Sequence, residues 1–251
     1  MHTQIVPTNR RKLARFGALA TGALALLLGT AASAQSLTVL PVNIEMAPQQ
    51  MATTLTVVNQ GDTETSVQIR AFKWMQPDGN EELTPSDEVL VSPPIATIAP
   101  GATQIVRLVL RRAPQDREAT YRILLDQIPP AAAPGTVRIA LRLSIPVFAA
   151  PATRVAANVQ FRAESKAGQT YLVAVNDGNR RETIREITLK SNDGGGLTTA
   201  ASSSPYILAG ATRRWPIGAP GRLPTAGETV HLTGRMDAGV IDQHVPVAAA
   251  P

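Results

Sequence analysis

Beyond the first few residues the chain carries only two histidines, His231 and His244, 13 positions apart with Asp237 and Asp242 between them. Imidazoles and carboxylates are zinc-ligand types, but two histidines flanking the hairpin turn Asp237-Ala-Gly239 are ordinarily surface residues. No G-x-S-x-G elbow exists, and the serine run Ala201-Ser-Ser-Ser204 reads as a loop. Gly194-Gly195-Gly196 lacks the lysine and helix that a phosphate cradle requires, and Asp193 has no acidic neighbour for acid–base work. Glu81-Glu82 and Asp87-Glu88 read as solvated loop charges. Cysteine is absent, which excludes thiol catalysis, cysteine–metal sites and disulfides. The residues present assemble no catalytic constellation; the expectation is a protein that is not an enzyme and needs no cofactor and no metal.

The patterned stretch is instead Thr136–Phe148, TVRIALRLSIPVF. Val137, Ile139, Leu141, Leu143, Ile145 and Val147 alternate with Arg138, Ala140, Arg142, Ser144 and Pro146. Period two places all the large apolar side chains on one face of a β-strand. A proline near its end cannot donate to a ladder, which suits an edge position. By itself the pattern is that of an ordinary core strand of a sandwich.

The other elements are also short and extended. Residues 1–34 read as an export signal: Arg10, Arg11, Lys12 and Arg15 form a basic region, Phe16 to Gly29 is apolar, and Ala32-Ser33-Ala34 supplies a cleavage site. An uncleaved anchor is the rival reading of this segment, though the apolar run is short for a membrane span. General secretion is the favoured route, with Arg10-Arg11 leaving twin-arginine export as the alternative. Removing those four basic residues from 24 leaves 20 against 19 acidic ones, so the mature chain is close to neutral. The basic balance therefore carries no argument for a nucleic-acid partner, and no second segment is apolar enough to insert in a membrane.

Frequent proline (20) and glycine (18), with plentiful Val, Ile, Leu and Thr, point to an all-β protein. Strands are expected over Leu37–Met46, with Pro41 marking an edge or a switch between sheets, then Thr53–Asn59 and Thr65–Trp74. In the last of these Val67, Ile69, Ala71 and Phe72 are read as inward-facing. Leu90-Val91, Thr103–Leu110, Thr120–Ile128 and the alternating stretch complete seven strands, an immunoglobulin-like sandwich. After Pro151 the pattern restarts: Val155–Phe161, Thr170–Val175, Ile184–Leu189, Tyr206–Leu208, Arg213–Ile217, Thr229–Met236 and Val240–Val247. The expected organisation is a signal peptide at 1–34, a first domain at 35–151 and a smaller β-domain at 152–251, with a short proline-containing join.

Taken in order, Ser92-Pro93-Pro94, Ile98-Ala-Pro-Gly101, Gln104-Ile-Val-Arg107, Asp116-Arg-Glu118 leading to Tyr121, Ile128-Pro129, Val175-Asn-Asp-Gly178 and Tyr206-Ile-Leu-Ala-Gly210 resemble the periplasmic chaperones of the chaperone–usher route of pilus assembly. Phe72-Lys-Trp74 and Ser144-Ile-Pro-Val-Phe148 are most similar to the archaic, Csu-type branch. The resemblance implies two immunoglobulin-like domains in an L-shaped arrangement and location in the periplasm. Its implied partners are fimbrial subunits and an outer-membrane usher, and it leaves open whether the free protein caps itself as a dimer. It also implies that the alternating strand is donated to a subunit lacking one strand. Val137, Ile139, Leu141 and Leu143 would then enter the subunit core, contributing roughly 6–12 kcal/mol at about 1.5–3 kcal/mol per side chain as an upper figure. Replacement of the donated strand by the next subunit's extension would need no nucleotide.

One departure from the family pattern bears on the site. Family members often pair an arginine in the first strand with a lysine near the end of the donor strand to hold the subunit's terminal carboxylate. Here those positions fall on or near Asn43 and on Ser144 or Pro146, none of them basic. Arg142, Arg122 or Arg107 would have to supply the charge, with an inter-strand or interdomain ion pair as the structural alternative for Arg107 and Arg122. A structural fimbrial or adhesin protein built from similar sandwiches is the rival function; two-domain length and absent cysteine count against it.

Overall fold

Alternation dominates the architecture. The computed structural model describes residues 37–129, 135, 139–199, 204–218 and 223–249, and nearly all regular structure among them is antiparallel strand. The segment expected to be an export signal (1–34), Val137, Arg138 and Ala201-Ser-Ser203 lie outside the described residues. Ser36–Pro251 forms one compact unit.

The first ten strands are β1 (Leu37–Leu40), β2 (Ile44–Met46), β3 (Ala52–Asn59), β4 (Thr65–Met75), β5 (Glu82–Pro85), β6 (Val89–Ser92), β7 (Ile95–Ile98), β8 (Thr103–Leu110), β9 (Ala119–Ile128) and β10 (Arg142–Ala149). One sheet has the order β1-β3-β8-β6; the facing sheet runs β2-β10-β9-β4-β5, with β7 also paired to β4. Leu55, Val57, Val106 and Leu108 from the first sheet pack against Val67, Ile69, Ile123, Leu125, Ile145 and Val147 from the second, all buried. This is the two-layer core that period-two patterning calls for.

The expected first strand is broken at Pro41. β1 pairs with β3 in one sheet, while β2 pairs with β10 in the other, so the chain changes sheets between Leu40 and Ile44. Proline lacks the N–H a continuing ladder needs, which explains the break. Phe72 corrects the inward reading of its neighbours. It follows Ala71 on β4, and alternation turns it with Arg70 and Trp74 to the outer face, where the Arg70 guanidinium lies 5.4 Å from its ring. β5 was not foreseen, because Glu82 is charged and the run is short.

The remaining strands are β11 (Val159–Lys166), β12 (Gln169–Asn176), β13 (Glu182–Ser191), β14 (Gly196–Thr199), β15 (Tyr206–Ile207), β16 (Thr212–Gly218), β17 (Thr229–Met236) and β18 (Gly239–Ala249). Their ladder runs β14-β16-β12-β11-β18-β17-β13-β15, and β14 pairs back to β13, so the path closes on itself around Leu172, Trp215, Ile217, Val230 and Leu232. This second β-sandwich starts later than expected, at Val159 rather than Val155, and it gains β14 from the glycine-rich turn.

The two sandwiches meet through an aromatic seam. Trp74 and Phe148 from the first pack against Tyr206 from the second, with ring centroids 5.1–5.8 Å apart, and Leu208 and Ala211 complete this small core. Gln76 Nε2 donates to the Tyr206 carbonyl at 3.0 Å, and the Leu208 N–H donates to Gln76 Oε1 at 2.9 Å.

Candidate functional site: an exposed strand edge beside a basic outer face

β10 is hydrogen-bonded along its whole length to β9, from Arg142 opposite Asp126 to Ala149 opposite Ala119. On its other edge it pairs only at Val147–Ala149, in parallel with Ile44–Met46 of β2. Among the described residues, the edge from Arg142 to Pro146 therefore has no strand neighbour. Such an edge is a template for another chain.

The apolar alternation follows the same gradient. Val147 is fully buried and Ile145 is 3 % exposed, Leu143 packs at the margin of the core, Leu141 is 37 % exposed and Ile139 is 90 % exposed. The expected strand over Thr136–Phe148 is thus shorter at its start: β10 begins at Arg142, and Ile139–Leu141 precedes it without a ladder. Leu141 is nevertheless tied to β9, since the Gln127 N–H donates to its carbonyl at 2.9 Å. One continuous pattern serves as core at one end and presents bare apolar surface at the other. Val137 lies outside the described residues.

Of the three arginines singled out, the structure brings two together. Arg122 and Arg142 share the outer face of the β10–β9–β4 sheet, with Arg122 opposite Pro146 and Arg142 opposite Asp126. Arg107 stands on β8 in the other sheet, between Thr54 and Ser92. It is exposed, and no carboxylate lies within ion-pair distance of it among the described residues. Arg142 is already partnered: Asp126 bridges it and Arg70, whose Nη2 donates at 2.6 Å. Burial pushes the Asp126 carboxyl up, but the hydrogen bonds and charges of Arg142 and Arg70 outweigh this and hold it below the ordinary aspartate value.

Arg122 is different. Its guanidinium stacks 3.8 Å above the Trp74 ring centroid, and Nη1 reaches the Ser144 carbonyl at 3.5 Å. Burial lowers its pKa, partly offset by the charges of Glu81 and Tyr206. No carboxylate of the described residues lies within ion-pair distance. A half-buried cation on an aromatic platform, bonded to the Ser144 carbonyl of the strand whose far edge is unpaired, is suited to receive a ligand carboxylate.

Several charged residues take structural partners that their sequence reading did not foresee. Glu81 is exposed in its loop as expected, but it is not a free charge. It accepts hydrogen bonds from Trp74 Nε1 and from Gln76 Nε2 at 2.9 Å, and it pairs with Arg213 of β16 at 2.5 Å. Glu88 likewise is no free charge, since Lys73 Nζ and the Tyr121 hydroxyl donate to it, each at 2.7 Å, and lower its pKa. Arg181 contacts Glu118 at 2.5 Å and also Glu45, and lies 3.5 Å above the Phe148 ring. Burial pushes the Glu118 carboxyl up despite that pairing. Asn43 is exposed in the crossing between β1 and β2. His231 and His244 face each other across β17 and β18 with stacked rings 4.5 Å apart, and His231 Nε2 lies 2.7 Å from Asp242. No group of three metal-ligating side chains occurs among the described residues, and no helix there is long and apolar enough to cross a membrane.

Comparison with known proteins bears on this geometry. The chain is 33 % identical over 87 residues to chaperone protein PapD of Escherichia coli, covering 33 % of this chain and 36 % of PapD. It is 28 % identical over 151 residues to chaperone protein FimB/FhaD of Bordetella pertussis, covering 55 % of this chain and 59 % of the relative. The matches thus span about a third to three-fifths of these relatives. Among solved structures, the CsuC–CsuE chaperone–tip adhesion subunit pre-assembly complex of the archaic Csu pili of Acinetobacter baumannii superposes with a TM-score of 0.62. Its identity is 21 %, over 86 % of this chain and all of that one. The YadV chaperone gives 0.59 at 15 % identity, over 84 % of this chain and 98 % of that one. The likeness to these structures is one of fold, two β-sandwiches in succession. In sequence, residues 36–154 match the family model of the pili and flagellar-assembly chaperone PapD N-terminal domain.

Proposed function

We propose that this protein is a non-enzymatic periplasmic chaperone that captures fimbrial subunits by donating the edge of β10 and passes them to an outer-membrane usher. The observation that carries the reading is the gradient along one apolar pattern: Ile145 is buried in the protein's own core, while Ile139, just ahead of the β10 edge that has no strand neighbour among the described residues, is 90 % exposed. An exposed apolar edge is a liability unless a partner covers it. A subunit lacking one strand would add alongside β10, with backbone hydrogen bonds giving register and Val137, Ile139, Leu141 and Leu143 filling its open core. Arg122 would receive the subunit's terminal carboxylate, with Arg142 at the rim, while the placement of Arg107 on the opposite sheet favours a surface role for it. Residues 1–34 would direct export and be removed. Cores drawn from Val39–Ala149 and from Ala163–Val247 support domains at 35–151 and 152–251.

The test is co-expression of the full chain with a fimbrial subunit in a bacterial periplasm, followed by affinity pull-down and size-exclusion chromatography. A soluble one-to-one complex, with the subunit lost to aggregation when the chain is omitted, is expected. A subunit that stays soluble alone and forms no complex overturns the reading.

A further inference from the structure

An anchor cation is useful only while no carboxylate of its own protein occupies it. Glu81 is the acid placed to do so: it holds the indole N–H of Trp74, the ring on which Arg122 rests, and its charge is felt at Arg122. Yet both Glu81 oxygens are engaged elsewhere. Oε2 accepts from Trp74, and Oε1 accepts from Gln76 and from Arg213. Arg213 comes from the second sandwich and is buried, and Gln76 is fixed by the backbone of Tyr206 and Leu208, also in the second sandwich.

Resting on the reading of Arg122 as the carboxylate anchor, we propose that Arg213 is a positioning residue that keeps Glu81 neutralised and turned away, so that Arg122 stays available to the subunit's carboxylate. The second sandwich then does more than brace the first. Without the Arg213 cation, Glu81 is an uncompensated carboxylate at the edge of the seam, and Arg122, where its charge is already felt, is a cation it can turn to. It would pair with Arg122 and repel an incoming carboxylate. With both Glu81 and Arg213 neutral, the charge balance at Arg122 returns to that of the parent.

The experiment uses the full chain and one fimbrial subunit stripped of its own donor extension, prepared with either a free C-terminal carboxylate or a C-terminal amide. The readout is the ratio of the two affinities. Arg122→Ala tests the underlying reading: it should abolish the preference for the carboxylate, and an unchanged ratio removes the anchor and this proposal with it. Given that loss, Arg213→Gln should cut the preference about tenfold, the lower range for a charge-assisted hydrogen bond. The double variant Glu81→Gln/Arg213→Gln should restore it, and Glu81→Gln alone should keep or raise it. A purely structural clamp would leave the double variant as impaired as Arg213→Gln, and that result overturns the proposal while leaving the anchor standing. If Arg213→Gln fails to fold, the Glu81→Gln single variant decides, a reduced preference counting against.

Discussion

Ile145 and Ile139 lie on the same face of one alternating run, six residues apart, yet the first is 3 % exposed and the second 90 %. The difference is set by what lies beside each. Ile145 sits opposite Ile123 of β9 within the sandwich core, whereas Ile139 precedes the first ladder pair at Arg142.

That contrast makes opposite mutational outcomes. Ile145→Ala should destabilise the protein by about 2–5 kcal/mol in denaturant unfolding, the range for truncating a buried isoleucine. Ile139→Asp should leave unfolding within about 0.5 kcal/mol of the parent and abolish subunit capture, because a carboxylate would enter an apolar core. Loss of folding in Ile139→Asp would mean that the exposed half of the run is structural.

The two arginines of the outer face should also separate. Asp126 already neutralises Arg142, while Arg122 rests on Trp74 without a carboxylate at ion-pair distance among the described residues. In a pull-down or surface-binding assay, Arg122→Ala should therefore weaken subunit binding by about 1.5–3 kcal/mol, and Arg142→Ala by about 1 kcal/mol or less. The reverse order would relocate the anchor to the rim.

Asp126 gives a signed pH dependence. Its folded pKa is depressed, the effect of Arg142 and Arg70 exceeding that of burial. Its contribution is therefore present above the unfolded value of about 3.9 and is lost as pH falls through the lower folded value. Asp126→Asn should be about 1 kcal/mol less stable than the parent at pH 7, with the gap in thermal unfolding closing below pH ~4. A gap independent of pH would show that the loss is not one of ionisation.

Much of the fold was legible because alternation and turn residues are local signals: Thr229–Met236 emerges with the bounds its pattern implies, and the break at Pro41 follows from a missing N–H. The alternation of Leu143, Ile145 and Val147 into the core was legible for the same reason. The seam was not. Nothing in the local sequence of Glu81-Glu82 distinguishes a solvated pair from a residue held by Trp74, Gln76 and Arg213, since Arg213 is 132 positions away. Arg181 joins Glu118 across 63 positions and Glu45 across 136, contacts that only the packing of two sandwiches creates. Phe72 was misread because an aromatic next to a core strand looks buried from composition, while period two sends it outward.

The Arg181–Glu118 pair is the place where that packing should be most sensitive to a single change. Both side chains are almost wholly buried, at 5 % and 3 % exposure. Arg181→Met removes the cation and leaves the Glu118 charge in a medium that penalises it, so a loss of about 3–5 kcal/mol is expected at pH 7. Replacing both partners, as Arg181→Met with Glu118→Leu, should recover most of that loss, because no buried charge remains. The pH dependence has the opposite sign to that of Asp126. Burial already raises the folded pKa of Glu118, and loss of Arg181 raises it further. The folded variant then binds a proton more tightly than the unfolded chain, so its stability rises as pH falls through the folded value toward the unfolded one. Thermal unfolding of Arg181→Met from pH 8 to pH 4.5 should accordingly converge on the parent at the acidic end. A deficit that stays constant across that range would assign the cost to lost packing on Phe148 rather than to the stranded carboxylate.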